Sequence, residues 1–229
     1  MKSQYLYLSI VLLTLLFPLM ASFYPKAPFY KNWKNLGIAI VIPAIVFIVW
    51  DEVFIRMEIW GFNPKYLTGI YIGSLPLEEI LFFISIPYAC VFTYFTLNYL
   101  VKTDYIFPHH ELLSSAFIIV LLILGIYYID KSYTAVTFIS LSLCLAFITL
   151  KLRPRYMGHF YLAFGVILIP FLIVNSILTG SFIEGEVVWY NDVDTLGLRL
   201  GTIPVEDAFY AMLLILMNIS IFEWLQERN

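Results

Sequence analysis

Charge is what this chain has least of. Only 13% of its 229 residues are Asp, Glu, Lys or Arg, and the formal net charge is −3. No basic stripe exists to follow a phosphate backbone, so nucleic acid is excluded as a partner. Cysteine is also scarce: Cys90 and Cys144 stand alone inside apolar runs, which rules out a disulfide framework and leaves them as small core residues. There is no Gly-x-Gly-x-x-Gly turn and no phosphate-binding loop, so a dinucleotide or nucleotide cofactor has no visible seat. What is abundant is apolar surface, at 62% hydrophobic and 18% aromatic residues with a mean hydropathy of +0.88. A soluble domain of this size cannot hide that much, and an integral membrane protein is expected.

Apolar runs long enough for a core of about 30 Å fall near 5–23, 36–54, 78–100, 112–129, 133–150, 160–178 and 205–224. Lys2 followed by an apolar run also fits a signal peptide, but the cleavage pattern is poor and the run has a counterpart later in the chain. It is read as a retained first helix.

One short motif is written twice. Ser74-Leu75-Pro76-Leu77-Glu78-Glu79 returns 128 positions later as Thr202-Ile203-Pro204-Val205-Glu206-Asp207. The same offset places Asn63 on Asn191, Gly69 on Gly197, Gly73 on Gly201, Gly37 on Gly165 and Tyr5 on Tyr133. Helices 1–3 thus map onto helices 5–7, and helix 4 has no counterpart. The expected architecture is all-α: seven transmembrane helices in one membrane domain, 1–229. Repeat 1 spans 5–100, a linker with helix 4 spans 101–132, and repeat 2 spans 133–228. Four crossings separate helix 1 from helix 5, so the halves are parallel and related by an axis along the membrane normal.

Loop charges suggest an orientation. Lys26, Lys31, Lys34, Lys102, Lys151, Arg153, Arg155 and Arg228 fall on one side, against Lys2, Arg56, Lys65, Lys131 and Arg199 on the other. The positive-inside rule then gives an outside N-terminus and a cytoplasmic C-terminus in the cell membrane.

Pro76 and Pro204 suit a helix start, which puts Glu78, Glu79, Glu206 and Asp207 in the first turns of helices 3 and 7. Acids near hydrocarbon are costly and mark function by default. An isolated pair would be adequately explained as a cap favoured by the helix dipole, by about 0.3–1 kcal/mol. Duplication argues against that reading, as does the aromatic border of Phe82, Phe83 and Tyr210 one turn on. Aromatic faces stabilise cations by about 0.5–2 kcal/mol each. Two acids close together in apolar surroundings cannot both ionise easily, so one can hold a proton while another accepts one.

At these residues the chain resembles the lycopene cyclase domain family, whose members carry a Pro-x-Glu-(Glu/Asp) element at a helix start in each half. Such proteins occur as paired subunits in some bacteria, as fused pairs in other bacteria and archaea, and as a part of bifunctional fungal enzymes. The likeness runs from helix 1 to helix 7. It implies a lycopene β-cyclase, a non-redox enzyme of the intramolecular lyase or isomerase type. Protonation of an acyclic end gives a carbocation, an internal double bond closes the ring, and a second proton is lost. Lycopene would become γ-carotene and then β-carotene.

The resemblance implies no cofactor and no metal. Lycopene and γ-carotene would come from the bilayer, through a lateral entrance between helices, with membrane lipid as the surroundings. Glu78 or Glu206 is expected as proton donor, with Glu79 and Asp207 as partner or base. Arg199 and Tyr71, at equivalent positions before Pro204 and Pro76, are expected to set the charge of the acids or stabilise the cation. Asn63 and Asn191 are expected to hold loop turns. Asp51, Glu52, Glu184 and Glu186 lie near the motif side and either line the entrance or face water. His109, His110, Glu111 and His159 suit solvated interfacial positions better than a metal site.

Other carotenoid end-group chemistry, such as C50 cyclisation or hydration, begins with the same protonation. A small proton-coupled carrier is the reading outside enzymes, but helices 1, 2, 4 and 5 lack a continuous polar path. A retinal-binding protein would need a lysine that helix 7 does not have.

Overall fold

Each apolar run forms a helix, the conformation in which a segment satisfies its own backbone groups without water. The computed structural model describes residues 3–228. Its helices are α1 (Leu6–Ala21), α2 (Trp33–Arg56), α3 (Leu77–Leu100), α4 (His110–Tyr127), α5 (Ser132–Ala146), α6 (Met157–Leu178) and α7 (Val205–Gln226). With their flanking turns, all seven are long and apolar enough to cross a membrane. Helix α5 continues as a wider π-helical turn, Phe147–Leu152, and stops at Arg153, which takes a left-handed φ of 48°. Lys2, counted among the loop charges above, lies outside the described residues.

The bundle is centred on α3 and α7. These two pack on each other, and both touch α2 and α6; α1 adds to α3, α5 adds to α7, and α4 lies mainly on α5. Phe47, Phe83, Phe138, Phe160, Leu216 and Ile219 fill the interior and are fully buried. The outer faces keep residues such as Leu13, Phe17, Ile45, Ile123 and Ile169 exposed. Helices apolar on all sides, with an exposed belt of this kind, suit lipid surroundings.

The sequence pattern predicts helix alone, and the loops after α2 and α6 add short strands. They are β1 (Trp60–Phe62), β2 (Tyr71–Ile72) and β3 (Leu75–Pro76) in the first loop, and β4 (Val188–Tyr190), β5 (Arg199–Leu200) and β6 (Ile203–Pro204) in the second. Every one of these recurs at the 128-residue offset, as do the 3-10 turns Pro64–Tyr66 and Asp192–Asp194. Asn63 and Asn191 cap those turns through hydrogen bonds from the Lys65 and Val193 amides, at 3.1 and 3.2 Å. The hairpins β2–β3 and β5–β6 turn on Gly73 and Gly201, whose φ values of 67° and 65° disfavour a side chain. These ladders escape the periodicity argument because strands of two or three residues carry no repeat to detect.

Strands β1 and β4 pair antiparallel, Trp60 with Tyr190, Gly61 with Trp189, and Phe62 with Val188. Shifting either strand by the repeat offset reproduces the same pairs, so this ladder is its own image about the Gly61–Trp189 position. The match is not uniform, however. Helix α1 starts 126 positions before α5, so Tyr7, rather than Tyr5, takes the place equivalent to Tyr133. Helix α2 also runs on through Asp51–Arg56, where the corresponding segment from Thr179 has already left α6.

Candidate active site

Pro76 and Pro204 end β3 and β6 in extended conformation and stand at the caps of α3 and α7. The next turn of helix therefore carries Glu78 and Glu79, or Glu206 and Asp207, pointing in different directions because helix neighbours are about 100° apart. All four are buried.

The two members of each pair have different surroundings. Glu78 accepts a hydrogen bond from the Thr68 amide at 2.7 Å. Glu206 accepts one from the Leu196 amide at 2.6 Å and one from the Thr134 hydroxyl at 2.6 Å. Both thus hold the loop that leads into their own helix, at equivalent places in the repeat. Glu79 and Asp207 instead line a cavity of about 390 Å³ in the interior of the bundle.

A third carboxyl, Asp51 from the extended end of α2, lines the same cavity and is 2% exposed. Sequence reasoning divides Asp51 between an entrance role and simple solvation. Its one signal is its place late in a long apolar run, beside Glu52. Glu52 itself faces the other way and clamps the β2–β3 turn through the Ser74 amide and hydroxyl, at 2.8 and 3.2 Å. Glu184 pairs with Lys65 at 3.0 Å near the surface.

Each cavity carboxyl is met by tyrosine. The Tyr7 hydroxyl donates to Glu79 at 2.5 Å, and Tyr210 donates to Asp51 at 2.7 Å. Asp207 accepts from Tyr133 at 2.7 Å and from Tyr190 at 3.0 Å. Burial, with the neighbouring Asp207 carboxyl, pushes the Tyr190 hydroxyl well above the usual phenol range, which keeps it a donor. The Asp51 and Glu79 carboxyls are also close neighbours within the cavity.

Aromatic rings close this end of the cavity. Trp60 packs edge-on against Tyr133 and Tyr210, with ring centres 4.9 and 6.0 Å apart, and Tyr133 stacks on Tyr190 at 5.8 Å. Phe82 also reaches the cavity, whereas Phe83 packs behind it against Phe47 and does not line it. Away from the acids the walls are almost wholly apolar, with Phe17 and Pro18 from α1, Ile86 and Cys90 from α3, and Pro170 and Phe171 from α6.

Two further expected residues, like Glu78, Glu206 and Phe83, lie off the cavity. Tyr71 is exposed on the β2–β3 hairpin. Arg199 pairs with Asp192 at 2.6 Å and donates to the Thr202 carbonyl at 2.9 Å. Its guanidinium also lies over the Tyr190 ring, 5.9 Å from the ring centre, at the edge of the site. Beyond the site, the His159 ring faces Asp104 at 3.1 Å, and His110 stacks on Phe107.

Comparison with known proteins agrees with this arrangement of halves. The family model described as lycopene cyclase matches residues 4–97 and 130–225, leaving out the segment around α4. A bifunctional lycopene cyclase/phytoene synthase of Aspergillus oryzae is 25% identical over 190 residues, 76% of this chain and 29% of that protein. The protein of the same description from Aspergillus niger is 30% identical over 103 residues, 43% of this chain and 18% of that protein. That of Podospora anserina is 28% identical over 67 residues, 29% of this chain and 11% of that protein. The chain thus spans less than a third of the length of these relatives. No solved structure matches it. With both matched segments ending in the acid-bearing helices α3 and α7, the chain belongs to the lycopene cyclase family.

Proposed function

We propose that this protein is a membrane-embedded lycopene β-cyclase working by acid–base isomerisation, without cofactor or metal. The observation that carries this reading is the cavity itself: three carboxyls at one end of an otherwise apolar, aromatic-bordered space inside the bundle. Ring closure needs a positioned acid, a base, π-faces for a carbocation, and walls that keep water from capturing it. Glu79, Asp207 and Asp51 are the groups that meet the substrate in this scheme. Glu78 and Glu206 position them by fixing the loops at the starts of α3 and α7. Trp60, Tyr210 and Phe82 offer faces to the cation.

The two halves, 5–100 and 133–228, act as parallel repeats about an axis along the membrane normal, with 101–132 as the linker. Each contributes one acid-bearing helix to a shared site. Helices α1 and α6 both line the apolar part of the cavity yet pack chiefly on α3 rather than on each other. The seam between them is the route by which an acyclic end of lycopene or γ-carotene enters from the bilayer. The site lies toward the side of Arg56, Lys65, Lys131 and Arg199, the outer side in the orientation given by the loop charges.

Cells that accumulate lycopene provide the test. Expression is expected to yield γ-carotene and β-carotene on chromatography, with no added flavin or nicotinamide. Unchanged lycopene, with the protein inserted in the membrane, would remove the cyclase reading. A strict need for reduced flavin would remove its cofactor-free form.

A further inference from the structure

Asp51 is the one cavity carboxyl that the repeat does not account for. Its equivalent in the second half is Thr179, which bonds the Asn175 carbonyl and the Thr202 hydroxyl and does not line the cavity. The carboxyl appears on one side only because α2 continues past the point where α6 ends. Two carboxyls can hydrogen-bond to each other only when one of them carries a proton, since an ionised carboxylate is purely an acceptor. Asp51 and Glu79 face each other as neighbours on the cavity wall, and two buried acids so placed hold a shared proton more easily than two charges. Tyr7 and Tyr210 each donate to one member of the pair, Tyr7 to Glu79 and Tyr210 to Asp51. Asp207 is built differently: each of its oxygens accepts from a phenol, Tyr133 on one and Tyr190 on the other.

We infer that the site is chemically one-sided, with Asp51 and Glu79 sharing the proton given to the substrate and Asp207 receiving the proton lost. This deepens the cyclase reading and rests on it. The pair gives its proton to the terminal double bond, whose π electrons form the new C–H bond and leave a tertiary carbocation. An internal double bond supplies the electron pair for the ring C–C bond, which moves the positive charge into the ring. A ring C–H bond then breaks toward Asp207, and its electrons become the ring double bond. One proton has entered the hydrocarbon and one has left, with no oxidation or reduction. The enzyme is restored when Asp207 releases its proton and the Asp51–Glu79 pair takes one up. Asp51 is thus a further catalytic residue, and the two halves have unequal tasks despite their matching motifs.

The test uses the full-length protein in membranes supplied with lycopene in deuterium oxide, read by mass spectrometry of both products and recovered lycopene. Wild type is expected to add one deuterium per ring. Asp51→Asn and Glu79→Gln are expected to lower ring formation by about 10²–10⁴-fold and to leave recovered lycopene unlabelled. Asp207→Asn is expected to block rings to a similar extent while recovered lycopene gains deuterium, because protonation and its reversal continue without the receiving base. Asp51→Glu, which keeps a carboxyl able to share the proton, is expected to restore both rings and label in part; a purely structural role would not link the two readouts.

Ring formation in Asp51→Asn within about two-fold of wild type would overturn the role of Asp51. Label in lycopene recovered from Asp51→Asn or Glu79→Gln, but not from Asp207→Asn, would reverse the assignment. Wild type that labels lycopene without closing rings would end the cyclase reading but keep the donor pair. Wild type that does neither would remove both.

Discussion

Glu79→Gln and Asp207→Asn should each lower ring formation by about 10²–10⁴-fold, whereas Glu78→Gln and Glu206→Gln should leave most of it. The contrast follows from where each carboxyl sits rather than from the motif, in which the four look alike. Gln and Asn keep the shape and hydrogen-bonding ability of the acids but can neither donate nor receive a carboxylic proton. At Glu79 and Asp207, on the cavity wall, that ability is what the proposed chemistry uses. At Glu78 and Glu206 the task is to accept from the Thr68 and Leu196 amides, and an amide oxygen accepts as well. Exchanging a carboxyl acceptor for an amide one there costs about 1 kcal/mol, which the bundle should tolerate. The measurement is pigment composition per amount of membrane-inserted protein. Equal, deep losses at all four positions would return Glu78 and Glu206 to the chemistry. Near wild-type rings from Glu79→Gln would take Glu79 out of it.

The duplicated motif makes the two acid-bearing helices, the seven spans and the offset between halves legible in the amino-acid sequence. Those features arise from local chemistry: apolar length, proline at a helix start, glycine at a tight turn. The division of labour inside each pair is not legible there, and the motif alone favours Glu78 and Glu206 as donors. Adjacent helix positions differ only in direction, and direction is set by the β2–β3 and β5–β6 hairpins, whose strands are two residues long. Asp51 is hidden for a related reason. It belongs to an extension of α2 past its repeat partner, so the offset that finds the other acids passes over it. The tyrosines are masked by a slip. Tyr5 aligns with Tyr133 at the common offset, but the helix starts differ by 126, and Tyr7 is the residue that reaches Glu79. The spacing of Arg199 from Pro204 places it near the acids in sequence, and the folded loop adds Asp192 as its ion-pair partner.

Gly61→Trp should abolish activity, and adding Trp189→Gly to it should bring activity back. These residues face each other at the centre of the β1–β4 ladder, the point about which its register repeats itself. A Cβ built on Gly61 would lie 2.5 Å from the Trp189 indole, so even alanine forces the indole or the strand to shift. Overpacking of this kind costs about 1–3 kcal/mol, and the strain falls on the strand neighbours. Those neighbours, Trp60 and Phe62 on one strand and Val188 and Tyr190 on the other, all line the cavity. A displacement on the order of 1 Å there is enough for about a 10²-fold loss in rate. Two identical subunits could not place one large and one absent side chain at such a centre; a fused pair can, and this chain has put the indole on the second half. If the halves are related by a two-fold through this pair, moving the indole to the first half restores one large and one absent side chain in equivalent space. The comparison is ring formation by Gly61→Trp alone against the Gly61→Trp/Trp189→Gly double variant, at matched membrane levels. A double variant no better than the single would show that the two sides of the ladder are not interchangeable, and the two-fold relation between the halves would have to be abandoned at the site.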